Sequence, residues 1–198
     1  MKAIVFDIGN VLIRWEPHPA FLPDLGSRDA VEDFLTRTDF MARNLRADGG
    51  ESFAALAAEI ADPADRALFA TYVDRYAATV PEAIEGTWAL MDRLRARGLA
   101  IHAITNWSAE TWPAGIAAHP RLGYAFDVTV VSGQEGILKP EARIYARLCD
   151  RAGLEPGDCL FIDDSLKNVE GARAFGMQAE HFTTPEALEA ALTARGLL

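Results

Sequence analysis

Residues 2–8, Lys2-Ala3-Ile4-Val5-Phe6-Asp7-Ile8, form a short apolar run rich in β-branched and aromatic side chains, interrupted by one carboxylate and ended by Gly9-Asn10. Such a run, bounded by turn residues, predicts a buried strand with Asp7 near its tip. Four later runs have the same character: 100–105 (AIHAIT), 127–132 (DVTVVS), 159–163 (CLFID) and 179–182 (AEHF). All are short and nearly continuous in apolar residues, as strands covered on both faces of a parallel sheet are. Helical patterns alternate with them at 87–97, 141–152, 169–175 and 185–195, and Gly98, Gly153, Gly176 and Gly196 lie just beyond their ends. The alternation predicts an α/β fold, a Rossmann-like, doubly wound parallel sheet.

One region breaks the alternation. From Trp15 to Glu85 no strand pattern is found, and helical patterns occupy 29–37, 51–61 and 64–79. In the last, Leu68, Phe69, Tyr72, Val73 and Tyr76 share one face. The expected organisation is therefore a core of residues 1–14 and 86–198, with a helical cap of 15–85 inserted after the first strand. A cap so placed is either decoration or a lid over the carboxyl edge of the sheet, where ligands of α/β folds bind.

With 19 Lys+Arg against 29 Asp+Glu, the net charge is −10, which repels phosphate backbones and anionic membranes, so neither nucleic acid nor membrane is an expected partner. The two cysteines, Cys149 and Cys159, are too few for a disulfide framework or a multi-cysteine zinc site. No run approaches the length of a transmembrane helix and the first residues do not read as a signal peptide, so a cytoplasmic location is expected.

The polar residues at the strand tips carry the chemistry. Asp7 ends the first strand, Thr105-Asn106 the second, and Asp163-Asp164 the fourth, with Ser165 and Asn168 close behind; Lys139-Pro140 follows the third. In an open α/β sheet these tips converge on one crevice. Singly, each residue could be a turn or cap; Asp164 or Ser165 could cap the helix containing Val169. Together they place three carboxylates against one ammonium, a set that repels itself unless a divalent cation such as Mg²⁺ joins it.

These pieces occur in the order seen in the haloacid dehalogenase (HAD) superfamily, and the chain resembles its phosphatase-like subfamily I members with a helical C1 cap. The resemblance rests on Phe6-Asp7-Ile8-Gly9-Asn10-Val11-Leu12-Ile13, Thr105-Asn106, Lys139-Pro140 with Ile144-Tyr145, and Phe161-Ile162-Asp163-Asp164 through Asn168 and Gly171-Ala172, spanning nearly the whole chain. It implies a Mg²⁺-dependent phosphatase acting on a small phosphorylated substrate. Asp7 would be the nucleophile, forming an aspartyl-phosphate. Asp7, the Gly9 carbonyl and Asp164 would hold the metal, with Asp163 and Asn168 supporting. Thr105 and Asn106 would bind phosphate oxygens, and Lys139 would neutralise charge during catalysis. A monomer and a homodimer are both compatible with it.

One departure matters. Phosphatases of this family usually carry a second Asp two residues after the nucleophile, as general acid and base; here Gly9 stands there. Bacterial α-glucose-1-phosphatase-like members are similar in having Gly at that place, which implies a sugar-phosphate type of substrate. Two alternatives stay open. One is a 2-haloacid dehalogenase using Asp7 against carbon, which needs neither acid nor metal but usually has other residues in place of Gly9 and Asp163-Asp164. The other is a pseudophosphatase that binds without turnover.

The remaining candidates are weaker. Glu16 and His18 could supply the missing proton but read more readily as solvated or capping residues. His102, His119 and His181 read as structural, and Ser108 as the N-cap of a following helix. Trp107 and Trp112 could be core or face the substrate. Arg14 reads as a surface residue, and Arg43 and Arg46 in the cap could bind an anion.

Overall fold

The computed structural model describes residues 1–198. The chain begins with β1 (Ala3–Phe6), passes through six short helices and a 3₁₀ turn, and returns to the sheet only after α7 (Glu85–Ala96). The intervening helices are α1 (His18–Leu25), α2 (Arg28–Arg37), α3 (Phe40–Asp48), α4 (Phe53–Ala58), α5 (Pro63–Ala70) and α6 (Tyr72–Arg75). Then follow β2 (Ala100–Thr105), α8 (Trp112–Ala118), β3 (Val128–Val131), α9 (Ser132–Glu135) and α10 (Ala142–Ala152), and finally β4 (Cys159–Asp163), α11 (Leu166–Phe175), β5 (Gln178–His181) and α12 (Pro185–Ala194). No helix is long and apolar enough to cross a membrane.

All five strands are parallel, in the order β3-β2-β1-β4-β5. The chain winds outward on one side of β1, then crosses to the other side for β4. The reversal lies between β1 and β4, and this is where a crevice opens beyond the strand ends. The register pairs Phe6 with Ile162, so the residues that follow, Asp7 and Asp163, sit side by side.

Period-two alternation sends side chains to opposite faces. Ile4, Phe6, Ile101, Ala103, Leu160 and Ile162 join the core under α7 and α12, with Trp88, Met91, Leu94, Leu188 and Leu192. Ala3, Val5, Ile104, Val130 and Phe161 face α10 and α11, against Ile144, Tyr145, Leu148, Val169 and Ala172. Gly171 is required where α11 crosses the Lys139-Pro140 loop, since a Cβ there would lie 2.5 Å from that of Pro140.

The cap is not a separate oil drop. Phe21, Phe34, Phe40, Phe53, Phe69 and Tyr72 pack ring on ring, and Tyr72 touches Tyr76, which meets Trp107 at 5.4 Å on the loop after β2. The same apolar cluster runs through Ile8, Val11, Leu12 and Ile13 into the sheet core.

Two cap helices, α1 and α3, had no counterpart in the sequence reading. Pro19 and Pro23 make α1 read as broken, although a proline in the first turn costs little. The expected helix over 64–79 is instead α5, α6 and a 3₁₀ turn at Tyr76–Thr79. The Thr71 N–H and hydroxyl both bond back to the Leu68 carbonyl, which tightens and bends the helix there. The expected 51–61 helix is shorter, Phe53–Ala58, started by the Ser52 hydroxyl accepting from the Ala55 N–H.

Candidate active site

Asp7 follows β1 directly, and its N–H donates to the Ile162 carbonyl of β4, which locks the two strand tips together. Its Oδ1 accepts from the Ile8 N–H at 2.7 Å and from Lys139 Nζ at 2.8 Å. No donor of the chain reaches Oδ2. The loop beyond it closes tightly: the Asn10 N–H donates to the Ile13 carbonyl, and Asn10 Oδ1 accepts from the Trp15 N–H. Asn10 has φ of 55°, a left-handed conformation that Asn tolerates better than most residues. No hydrogen bond of the chain ends on the Gly9 carbonyl.

Lys139 is fully buried and lies between two carboxylates, with Asp163 Oδ2 at 2.7 Å on the side opposite Asp7. Burial alone would lower its pKa, but Asp163 and Asp7 more than offset this and raise it. Asn106 holds the Lys139 backbone at both ends: its Oδ1 accepts from the Lys139 N–H, and its Nδ2 donates to the Lys139 carbonyl. Asp163 is saturated by the protein, accepting from Lys139, the Ser165 N–H and Asn168 Nδ2 on both oxygens. Asp164, in contrast, is exposed and no side-chain donor of the chain reaches its carboxylate. Its carbonyl accepts from His181 Nε2 at 2.9 Å.

The carboxylate oxygens of Asp7, Asp163 and Asp164 approach to within 4.8 Å of one another. The Asp7 carboxyl is pushed up to about 7, first by burial, while Lys139 pulls it down and Asp163 and Asp164 push it up. Asp164 is raised as well, by burial and then by Asp163. Three carboxylates facing a single lysine make a donor set short of two positive charges, and hard oxygen donors of this kind suit Mg²⁺.

Above this floor opens a cavity of about 400 Å³, reaching from Asp7, Gly9, Asn10, Asn106 and Asp164 to the cap. The cap wall is one face of α3, where Met41, Asn44, Leu45 and Asp48 recur at helical spacing, joined by Trp15, Tyr76 and Trp107. Met41 and Leu45 are half exposed at the cavity mouth.

The structure thus brings Asp7, Gly9, Asn106 and Asp164 to the cavity wall, with Lys139, Asp163 and Asn168 directly beneath. Thr105 does not line the cavity; it is buried, and its hydroxyl has no partner. Neither Asp164 nor Ser165 caps α11 through its side chain; the Ser165 N–H is held by Asp163. Glu16 and His18 lie away from the cavity, where His18 bonds Glu32 and Glu16 pairs with Arg28. Ser108 does not cap α8, which begins four residues later; its hydroxyl accepts from the Glu110 N–H. Trp107 lines the cavity and Trp112 packs behind it. Arg43 and Arg46 are turned to Glu59, and Arg46 also to Glu51.

The sequence reading missed Asp48, Asn44 and Ser132. Ser132 is fully buried; its hydroxyl accepts from the Trp107 N–H and donates to the Asp48 carbonyl at 2.6 Å, tying the cap to the loops after β2 and β3. Gly133 lets this junction close, since a Cβ there would stand 2.8 Å from the Trp107 carbonyl. The only local signal for Asp48 is its place before Gly49-Gly50.

Known proteins are similar to this chain in sequence and in fold. The chain is 28% identical to the sesquiterpene phosphatase astK of Aspergillus oryzae over 92% of its length and 90% of that protein. A HAD family enzyme of Bacteroides thetaiotaomicron, solved with magnesium and inorganic phosphate, superposes with a TM-score of 0.69 at 19% identity, over 93% of this chain and 95% of that one. The L-2-haloacid dehalogenase of Xanthobacter autotrophicus superposes at 0.68 with 20% identity, over 100% of this chain and 84% of that one. A family model of haloacid dehalogenase-like hydrolases matches residues 1–176, and with the strand order and the Asp7–Lys139–Asp163 floor this places the chain in that family.

Proposed function

We propose that the protein is a magnesium-dependent phosphatase of a small phosphomonoester, acting through an aspartyl-phosphate on Asp7. The observation that carries this reading is the Asp7 carboxylate: Lys139 and the Ile8 N–H hold Oδ1, and Oδ2 is left free at the cavity floor. A carboxylate so oriented is poised for in-line attack on phosphorus, and splitting hydrolysis into two steps lowers each barrier. Asp7, the Gly9 carbonyl and Asp164 would hold Mg²⁺, as hard oxygen donors gathered at one end of the cavity. The ion would supply charge compensation for the transferring phosphoryl group. Lys139 shares that task and favours the ionised form of Asp7; Asp163, Asn168 and Asn106 position Lys139. Asn106 at the cavity wall would form the phosphate subsite, with the unpartnered Thr105 hydroxyl reaching a phosphate oxygen only if the buried strand tip opens toward it.

The same proposal divides the chain into a catalytic core of 1–14 and 86–198 and a cap of 15–85. A sugar phosphate, implied by the likeness to α-glucose-1-phosphatases, fits the polar residues Asn10, Asn44 and Asn106. The stripe of Met41 and Leu45 with Trp15, and the identity to a sesquiterpene phosphatase, support an organic group with an apolar face. The dehalogenase alternative is disfavoured by the acidic cluster, which would crowd an anionic substrate in the absence of a cation.

Phosphate release from p-nitrophenyl phosphate, glucose 1-phosphate and farnesyl phosphate tests the reading. Turnover with Mg²⁺ that disappears in EDTA and in Asp7→Asn supports it. Halide release from 2-chloropropionate in EDTA would overturn it in favour of the dehalogenase. Ligand binding without turnover would indicate the pseudophosphatase.

A further inference from the structure

Breaking a phosphomonoester requires a proton. When Asp7 attacks phosphorus, the electron pair of the breaking P–O bond goes to the leaving oxygen, and an alkoxide leaves poorly unless protonated. The second step needs the reverse, because the water that attacks the aspartyl-phosphate must give up a proton. Position 9, two residues past Asp7, offers no side chain, and a Cβ placed there would meet open space. Another group facing the cavity must serve.

The titratable residues lining the cavity are Asp7, Asp48, Tyr76 and Asp164. The proposed mechanism commits Asp7 as nucleophile and Asp164 to the metal. Burial holds the Tyr76 phenol well above its ordinary range, so it is no base near neutral pH. Asp48 remains. It ends α3, one turn after Asn44, whose amide donates to Asp48 Oδ2 at 3.1 Å. The Ser108 backbone N–H also acts on its carboxylate, lowering its pKa. No lysine, arginine or histidine pairs with it. The other charged or titratable groups acting on it are Lys139, at longer range, and the phenols of Tyr72 and Tyr76.

We propose that Asp48, delivered by the cap, is the general acid that protonates the leaving oxygen and then the general base that deprotonates the hydrolytic water. The inference rests on the phosphatase reading. In the first step Asp7 bonds to phosphorus, the ester P–O bond breaks, and the Asp48 proton moves to the departing oxygen. In the second, water bonds to phosphorus, its proton returns to Asp48, the P–O bond to Asp7 breaks, and inorganic phosphate leaves with Asp7 regenerated. Burial pushes the Asp48 carboxyl up to about 7, with the Ser108 N–H and Lys139 pulling the other way, which suits a group that must both give and take a proton near neutrality. The hydrogen bond from Ser132 to the Asp48 carbonyl fixes the end of α3 over the floor, so acid and nucleophile are registered across the cap–core boundary.

The test is Asp48→Asn, isosteric and able to keep accepting from the Asn44 amide, followed by rapid quench with two substrates in Mg²⁺. Nitrophenolate leaves without protonation and an alkyl phosphate does not. In the first turnover the variant is expected to lose about 10²–10⁴-fold on the alkyl phosphate and far less on p-nitrophenyl phosphate, and its later turnovers on both should be slow, with phosphate retained on Asp7. Retention of the nitrophenol burst also reports that the variant is folded. Equal losses on the two substrates in the first turnover, or no loss on the alkyl phosphate, would overturn the role of Asp48. Absence of Mg²⁺-dependent turnover in the wild-type chain would overturn the phosphatase reading itself, and this role with it.

Discussion

Buried Lys139 and half-buried Asp48 both stand beside the same cavity, yet their surroundings differ. At the sheet edge Lys139 is clamped between Asp7 and Asp163, and Asp163 has a donor for every direction in which its oxygens can accept. In the cap, the Asp48 carboxylate accepts only from the neutral Asn44 amide. A compensated group of this kind is a fixed part of the frame. An uncompensated one lowers stability when charged, and it persists where function needs a proton that moves.

The largest effect expected from this contrast is that of Lys139→Met. The substitution leaves Asp7 and Asp163 side by side in a buried site with no cation. Removing one partner of a buried ion pair costs about 3–5 kcal/mol, because the remaining charge has no solvent and no counter-charge. Turnover should vanish, and urea unfolding at pH 7 in EDTA should show a loss of that size. A loss below about 1 kcal/mol would mean that the sheet edge does not depend on this pair, and the contrast with the cap would collapse.

The next effect runs the other way. Asp48 sits at about 7 in the folded protein, against an ordinary 3.8 in the unfolded chain. Between those values the folded state holds a proton the unfolded state has lost, so this residue makes wild-type stability fall as pH rises from about 4 to about 7. Asn cannot ionise and removes that decline. Asp48→Asn should therefore match the wild type near pH 3 and exceed it at pH 8, by up to about 4 kcal/mol, in urea unfolding in EDTA. Asp7, also raised to about 7, keeps a similar decline in both proteins. A variant that is slower but more stable separates a working acid from a structural one, which would lose both.

The same boundary divides what the sequence made legible. Around β1, β2 and β4, each tip residue follows an apolar run whose period and turn residues are local, so the sequence alone places Asp7, Asn106, Asp163 and Asp164 in one crevice. Lys139 required only the additional inference that the loop after β3 turns back over the same edge. The cap offers no such code. Its helices are short, α1 carries two prolines, and α3 is polar on most of its surface, with Phe40 and Ala47 its only fully buried residues. What fixes α3 is tertiary: the rings of Phe21, Phe69 and Tyr72 around Phe40, and the Ser132 hydroxyl on its last carbonyl. Asp48 enters the site through those contacts, and no spacing in the chain announces it.

The smallest effect sharpens the contrast from the cap's outer face. Arg46 lies on the same helix as Asp48, and a cap arginine is an obvious candidate for binding an anionic substrate. Its guanidinium instead bonds Glu51 and Glu59, at 2.6–2.9 Å, on the side of α3 that faces solvent. Bonds to both glutamates raise its pKa, so it stays charged at any pH the protein survives. Exposed pairs of this kind contribute little, because each carboxylate recovers its hydration when the partner is removed. Arg46→Ala should leave turnover unchanged and Tm within about 2 °C of the wild type. A clear rise in KM would place Arg46 over the cavity, and would require α3 to rotate from the face that now presents Met41, Asn44, Leu45 and Asp48. That rotation would carry Asp48 out of reach of the substrate, so the mildest variant also bears on which face of α3 the enzyme uses.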